Sequence, residues 1–311
     1  MNRLPPRWTR SGGAASDPIP RHRGAGALSG RRALVVGGLS GGIPLGRTVA
    51  TALAKEGAAV ALAESAARTA PSRAWPSARD SRDSDAARTR PTTGRGRGRP
   101  IVPARSSSPL GARPEPATER PDTPRGAGAD PLRSTARLLA RLGASALPLH
   151  CDTADESGCR GAVAHTALEF GGIDLLVVCG QPAPAAGGLL DLTTEDLDRT
   201  IRATLYSTLW LVQAARVFMQ PGSSVVLTAA PSGRLGSAEG IGHAAGAAAV
   251  MNLARSLADA LAERDVRVNC AVPEDGDDPH DVAAAYVRLA RGGAAAPTGA
   301  VLPVSELVPP G

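Results

Sequence analysis

A doubly wound α/β fold with a mostly parallel sheet is what this 311-residue sequence predicts, and three observations carry the prediction. Short apolar runs alternate with helical patterns over residues 31–64 and 131–305, as a parallel sheet with crossover helices requires. Several of the runs, such as 173–179 and 223–228, are apolar without alternation, as expected of strands covered on both faces. The first run ends in a glycine cluster that opens a helix, which is how a dinucleotide-binding α/β unit begins.

Residues 1–30 mix Pro, Gly, Arg and Ser without periodicity and read as a disordered lead. Residues 31–64 then give strand, glycine turn, helix and strand: Ala33-Leu-Val-Val precedes Gly37, Gly38, Gly41, Gly42 and Gly46, an alanine-rich helix runs to Gly57, and a second apolar run ends at Glu64. Glycine lets backbone N–H groups approach a pyrophosphate, and a helix N-terminus favours its charge. The strict G-x-G-x-x-G string is absent. Residues 65–130 hold ten prolines and the run Gly94-Arg-Gly-Arg-Gly-Arg-Pro100. Such a stretch buries too little apolar surface to offset chain entropy, so it reads as a long disordered insertion in a single domain spanning 31–305.

Order resumes at Asp130, which with Pro131 and the final Gly143 brackets a helix of apolar i, i+3, i+4 spacing. A strand follows at 146–151, a helix at 155–170 and a strand at 173–179. Thr194 can cap a helix running to 218, and Pro221-Gly222 turns the chain into a strand at 223–228. A helix at 241–264, strands at 266–272 and 301–304, and a helix at 281–291 complete the pattern, with 306–311 as a tail.

The net charge of +6 belongs to two flanking segments. Residues 1–32 carry seven Arg against one acid and residues 65–130 thirteen against seven, whereas the remainder carries fifteen basic and twenty-one acidic residues. The high pI therefore gives no basic binding face to the domain. The Arg-Gly run can bind polyanions, but a solvated spacer is the preferred account of it, and no nucleic-acid partner is expected. Cys151, Cys159, Cys179 and Cys270 lie in or beside apolar runs without a C-x-x-C pair, which suits free thiols in a reducing cytosol. No 18-residue apolar run is present and the N-terminus has no apolar signal core, so a cytoplasmic protein is expected, with no metal site. Lys55 is the only lysine, and Tyr206 and Tyr286 are the only tyrosines.

The chain resembles the short-chain dehydrogenase/reductase family at six landmarks: Ala33-Leu-Val-Val-Gly-Gly, Leu149-His-Cys-Asp-Thr-Ala-Asp155, Phe170-Gly-Gly-Ile-Asp-Leu-Leu-Val-Val-Cys-Gly180, Leu192-Thr-Thr-Glu-Asp-Leu-Asp198, Arg267-Val-Asn-Cys-Ala-Val-Pro273 and Thr298-Gly-Ala-Val-Leu-Pro-Val304. The resemblance implies a Rossmann-like sheet and NAD or NADP as cofactor. It also implies a Tyr-x-x-x-Lys pair, a Ser about thirteen residues before the Tyr, and a helix Asn. In that family the Tyr moves the hydroxyl proton, the Lys lowers its pKa and holds the ribose, and the Ser orients the carbonyl. Anchored on Arg234-Leu-Gly-Ser and Arg267-Val-Asn, those positions fall at His243 for the Tyr, Ala247 for the Lys, Ala230 for the Ser and Thr204 for the Asn. All four differ.

His243 titrates near neutrality and is the one candidate substitute. Thr228 lies two residues before the serine position, about 7 Å along a strand. The turn is lengthened by Pro44-Leu45, as in the enoyl-acyl-carrier-protein reductase branch, whose Tyr position would fall at Gly240 and whose Lys position is again Ala247. After Pro273 only seven residues precede the next helix, which leaves little for a substrate lid. For the cofactor, the resemblance points to Gly37, Gly38, Gly41, Gly42 and Gly46 at the phosphates, Glu64 at the adenine ribose, Asp152 at the adenine, and Gly180 close to the bound dinucleotide. Glu64 would favour NAD over NADP, although a solvated acid at a strand end is equally consistent with it. Asp152 could instead cap the next helix. Without the lysine the cofactor would bind weakly or not at all.

Three expectations follow from the residues and the resemblance together. One is a catalytically impaired relative, a pseudoenzyme associating as a homodimer or homotetramer through the helices near 194–218 and 241–264. The alternative is an active NAD(P)-dependent oxidoreductase on a carbonyl or hydroxyl substrate, with its catalytic groups rearranged around His243. A polyanion-binding module using the Arg-rich segments is a third.

Overall fold

The computed structural model describes residues 16–39, 44–64, 130–180, 188–292 and 296–308. The chain divides into two units, Met1–Ala67 with Gly128–Gly311 and Arg68–Ala127, and every described residue belongs to the first. Gly41, Gly42 and the insertion up to residue 129 lie outside the described residues.

Seven parallel strands form the sheet: β1 (Arg32–Val36), β2 (Ala59–Glu64), β3 (Ala146–His150), β4 (Leu175–Val178), β5 (Ser224–Thr228), β6 (Arg267–Val272) and β7 (Val301–Pro303). Their order is β3-β2-β1-β4-β5-β6-β7, so the direction of winding reverses between β1 and β4. Helices α1 (Leu45–Lys55), α2 (Pro131–Arg141), α3 (Glu156–Phe170), α4 (Thr194–Ile201), α5 (Ser207–Ala215), α6 (Ser232–Leu235), α7 (Ile241–Ala260), α8 (Pro279–Arg291) and α9 (Val304–Leu307) connect them. Successive strand residues point to opposite faces, and the apolar runs thereby feed two cores. Ala33 and Val35 enter one with Leu53 of α1 and Tyr286 of α8, while Leu34 and Val36 enter the other with Leu211 of α5 and Val250 of α7.

Helix starts follow side-chain capping. Asp130 accepts from the Leu132 N–H at 3.1 Å, Asp155 from that of Gly158 at 3.0 Å, and Asp278 from that of His280 at 2.9 Å. The cap of α4 is Thr193, which accepts from Asp196 N at 3.1 Å, rather than Thr194. The helix expected over 194–218 is not continuous: a π-helical turn at Arg202–Tyr206 separates α4 from α5. The Thr200, Thr204, Ser207 and Thr208 hydroxyls each donate to the carbonyl four residues back, at 2.6–2.8 Å. Such back-bonding loosens the helical ladder where they cluster. The helix expected over 241–264 ends at Ala260, followed by a tight turn at Ala262–Arg264.

The lead is a clearer correction. Residues 16–30, expected to be disordered, dock beneath α1 with Ile19 and Leu28 fully buried. The carboxylate of Glu56 accepts from Ala25 N at 2.9 Å and Ala27 N at 3.0 Å, and lies 3.1 Å from His22 Nε2. Lys55 Nζ lies 2.7 Å from Asp17 Oδ2 and donates to the carbonyls of Ile19 and His22. Two apolar side chains in a Gly- and Arg-rich stretch give no periodic signal, so only their long-range partners order them. The expected tail at 306–311 begins inside α9, whose Leu307 is buried.

Candidate functional site

Doubly wound sheets receive ligands beyond the C-terminal ends of their strands, where the winding reverses. A cavity of about 390 Å³ occupies that place. The ends of four strands contribute to it: Val36 from β1, Val178 to Gly180 from β4, Thr228 to Pro231 from β5, and Pro273 to Asp275 after β6. Helix residues close it, among them Thr204 of the π-turn, Thr208 and Leu211 of α5, and His243, Ala247 and Val250 of α7.

The glycine turn is built for close approach. Gly37 and Gly38 have φ of 80° and 69°, which glycine adopts without steric cost. Gly46 N donates to Gly38 O at 2.8 Å. A Cβ on Gly46 would stand 2.1 Å from Gly37 O, and one on Gly38 2.8 Å from Gly46 N. The start of α1 therefore sits directly on the turn, with no side-chain cap on its first turn. Gly180 has φ 75°, and no described residue comes within 4 Å of where its Cβ would stand.

The carboxylates are less directed at the cleft than the resemblance implies. Glu64 is 6% exposed, which rules out the solvated reading, and its Oε2 accepts from Leu39 N at 3.0 Å. That bond ties the end of β2 to the glycine turn. Asp152 is exposed and accepts from Ala154 N at 3.0 Å, while Asp155 makes the cap of α3, so Asp152 is no helix cap.

Of the positions matched to the family's catalytic groups, Ala230, His243, Ala247 and Thr204 all line the cavity together with Gly38 and Gly180. Gly37, Gly46, Glu64 and Asp152 lie outside its wall. Ala247 is buried, and Thr204 donates to Thr200 O at 2.8 Å. The Thr228 hydroxyl lies 2.6 Å from that of Tyr286, which reaches it from α8 on the other core. His243 is half-buried; burial lowers its pKa, and its Nδ1 is buried with no partner among the described residues. Cys179 lines the wall, and its thiol is held protonated, first by burial and then by the charge of Glu64. No lysine or arginine is among the described residues that line the cavity, and Glu274 and Asp275 stand in its wall. Lys55, at the far end of α1, is held by the lead.

These residues fit a dinucleotide unevenly. The described part of the turn packs the start of α1 directly on Gly37 and Gly38, as a pyrophosphate site at a helix N-terminus requires. The other half of the cleft offers no cation for a ribose and no hydroxyl free of its own backbone at Thr204, Ser207 or Thr208. Thr153, Cys179, Ser207, Thr208, Glu274 and Asp275 were missed as lining residues. For Thr153, Cys179, Glu274 and Asp275 the usable signal is position alone, since each closely follows a strand's C-terminal end.

Among known proteins, the family model described as Enoyl-(Acyl carrier protein) reductase matches residues 127–277. The uncharacterized oxidoreductase YhxD of Bacillus subtilis is 27% identical over 261 residues, covering 82% of this chain and 66% of the relative. General stress protein 39 of the same organism is 30% identical over 139 residues, 45% of this chain and 49% of the relative. The chain thus spans less than two thirds of the length of these curated relatives. A short chain dehydrogenase from Mycobacterium smegmatis superposes with a TM-score of 0.66 at 22% identity, covering 94% of this chain and 98% of the other. One from Burkholderia cenocepacia, solved in complex with NADP, gives 0.62 at 22%, covering 89% and 97%. At these identities the structural matches establish the fold.

Proposed function

We propose that the chain, which is similar to the short-chain dehydrogenase/reductase family in its family-model match and its fold, is an oxidoreductase-like protein of that family that holds NAD weakly and does not perform the family's proton-coupled hydride transfer. The observation that carries this reading is the composition of the cavity wall: Ala230, His243, Ala247 and Thr204 stand at the positions matched to the family's catalytic groups, and no cation is among the described residues lining the site. Neither tyrosine compensates, because Tyr286 is fully buried against Thr228 and Tyr206 lies outside the wall. A dinucleotide would rest on Gly38 and the first turn of α1, with the buried carboxylate of Glu64 behind the turn disfavouring a 2′-phosphate. When bound, its nicotinamide supplies hydride chemistry; the chain supplies no lysine to hold the adjoining ribose. Calorimetric titration with NADH and NADPH tests this, with binding of NADH and no turnover on a panel of carbonyl compounds expected.

A second reading is favoured by one observation, the imidazole of His243 in the wall. Steady turnover that disappears in His243→Ala would establish that reading and overturn the first. Self-association is part of the proposal. Arg202 stacks over Tyr206 and Trp210 at 5.8 Å from each ring, and Tyr206 is 44% exposed. These aromatic groups support the π-turn and α5 as the contact, whereas Gly246 of α7 packs within the chain against Thr204. A light-scattering mass equal to the monomer would remove that part.

A further inference from the structure

The thiols of Cys151 and Cys159 meet beside the cleft and take no part in its chemistry. Cys151 follows β3, at the edge of the sheet, and Cys159 lies near the start of α3. The turn between them folds tightly back on itself. Asp155 N donates to Asp152 O at 3.1 Å, and Cys159 N to Asp155 O at 3.1 Å. A Cβ on Gly158 would stand 2.6 Å from Asp152 O and 3.2 Å from Asp152 N. Glycine at 158 therefore lets two backbone segments touch, and that contact sets their neighbours, Cys151 and Cys159, side by side. The two thiols hydrogen-bond each other, and Cys159 Sγ also lies 3.8 Å from Thr153 O. Both side chains belong to one core cluster, 1% and 0% exposed. What covers them is the turn itself, whose residues 152 and 154–157 are exposed. Cys179 and Cys270 are placed differently. One follows β4 and the other lies in β6, with β5 between them. Two strand spacings make about 10 Å, and a disulfide needs Cα atoms within about 7 Å.

We propose that Cys151 and Cys159 form a peroxide-sensitive pair that closes to a reversible disulfide, tethering the end of β3 to α3. Cys151 reacts first. The hydrogen bond from Cys159 lowers its pKa, against burial and the charges of Asp152 and Asp155, whereas the same bond and burial raise that of Cys159. The thiolate is the nucleophile. With hydrogen peroxide as oxidant, the Cys151 sulfur takes one oxygen and hydroxide leaves, giving a sulfenic acid. The Cys159 sulfur then attacks the Cys151 sulfur, the S–O bond breaks, and the OH leaves with the Cys159 proton as water. The first hydroxide and the Cys151 proton make a second water, so two thiols are oxidised and one peroxide is reduced. Opening of the short turn, a local event, admits a reagent of this size. Closing the bond removes the S–H that Thr153 O accepts, and Thr153 lines the cavity. The tether thus reaches the edge of the cleft.

The test uses the full, reduced chain, treated with hydrogen peroxide under native conditions. Thiols are counted after unfolding in urea without reductant. Trypsin releases both cysteines in one peptide, 142–160. Two of the four free thiols should be lost, and that peptide should become lighter by about 2 Da, the two hydrogens removed. Dithiothreitol should reverse both changes. Cys151→Ala should keep its remaining thiols. Cys159→Ser, whose hydroxyl can still donate to Cys151, should instead take a dimedone adduct at Cys151. The double variant Cys179→Ala/Cys270→Ala should lose both of its thiols, and the native chain's peptide map stands by itself if any variant fails to fold. The proposal is overturned if all four thiols survive, if the lost pair includes Cys179 or Cys270, if Cys159→Ser takes no adduct at Cys151, or if the bond forms only in a chain already unfolded by urea.

Discussion

The two ends of the sheet differ in how they use charge. At the N-terminal ends of the strands, polar groups are paired across long stretches of sequence. Asp174 accepts from Arg32 N at 2.9 Å, Nε at 2.7 Å and Nη2 at 2.8 Å, and Lys55 and Glu56 clasp the lead. At the C-terminal ends, the strands open onto a wall dominated by Ala, Val and Leu, with the His243 ring among its polar groups. The chain's single lysine serves the first end and not the second. The difference teaches that the pairs ordering this fold lie away from the cleft. Residues in the cleft can therefore depart from the family's pattern without removing a pairing that holds the sheet or the lead.

The largest test of that contrast restores chemistry at the cleft. Introducing Ala230→Ser, His243→Tyr and Ala247→Lys together should raise NADH-dependent carbonyl reduction by about 10²–10⁴-fold, the range for a positioned acid–base group. An unchanged rate would show that the cleft is inert for reasons other than these three positions. Next comes the opposite end: Asp174→Ala leaves Arg32 with three donors unpaired in a partly buried site. It should cost about 2–4 kcal/mol in urea unfolding, with NADH affinity unchanged. A smaller effect is expected for Tyr286→Phe, which removes the bond to Thr228 and should cost about 1 kcal/mol in the same measurement; a free Thr228 hydroxyl would then face the cavity.

Acid should separate the two ends last and most gently. Burial lowers the folded pKa of His243, so its contribution is present above the unfolded value of about 6.5 and is lost as pH falls through the folded one. Burial by itself would push Asp174 up, but the hydrogen bonds and charge of Arg32 bring it below the ordinary carboxylate range. Its contribution persists until the pH drops below about 3.9. Thermal melts between pH 7 and 5 should therefore show a decline that His243→Gln reduces and Asp174→Asn does not.

Much of the fold was legible in the chain. Continuous apolar runs such as 175–178 and 224–228 read as strands buried on both faces, and Asp130 and Asp155 mark helix starts by their side chains. The cleft was legible in part, because Ala230, His243, Ala247 and Thr204 do meet around one cavity. Glu64 was misread as a possible solvated acid because its partner, the Leu39 N–H, lies 25 residues away. The π-turn escaped because hydroxyls at 200, 204, 207 and 208 look like ordinary polar positions of a helix until their back-bonds are seen.

What the sequence determined by itself is the succession of elements and the lack of a Tyr-x-x-x-Lys pair. Periodicity, capping and the presence of one lysine are local or countable facts. Only the tertiary structure decided where that lysine goes, that residues 16–30 dock, that Tyr286 reaches Thr228, and that His243 stands in the wall of the cavity. Each depends on groups separated by about 30 or more residues along the chain, and their meeting is set by how strands and helices stack. No spacing rule within one element encodes that.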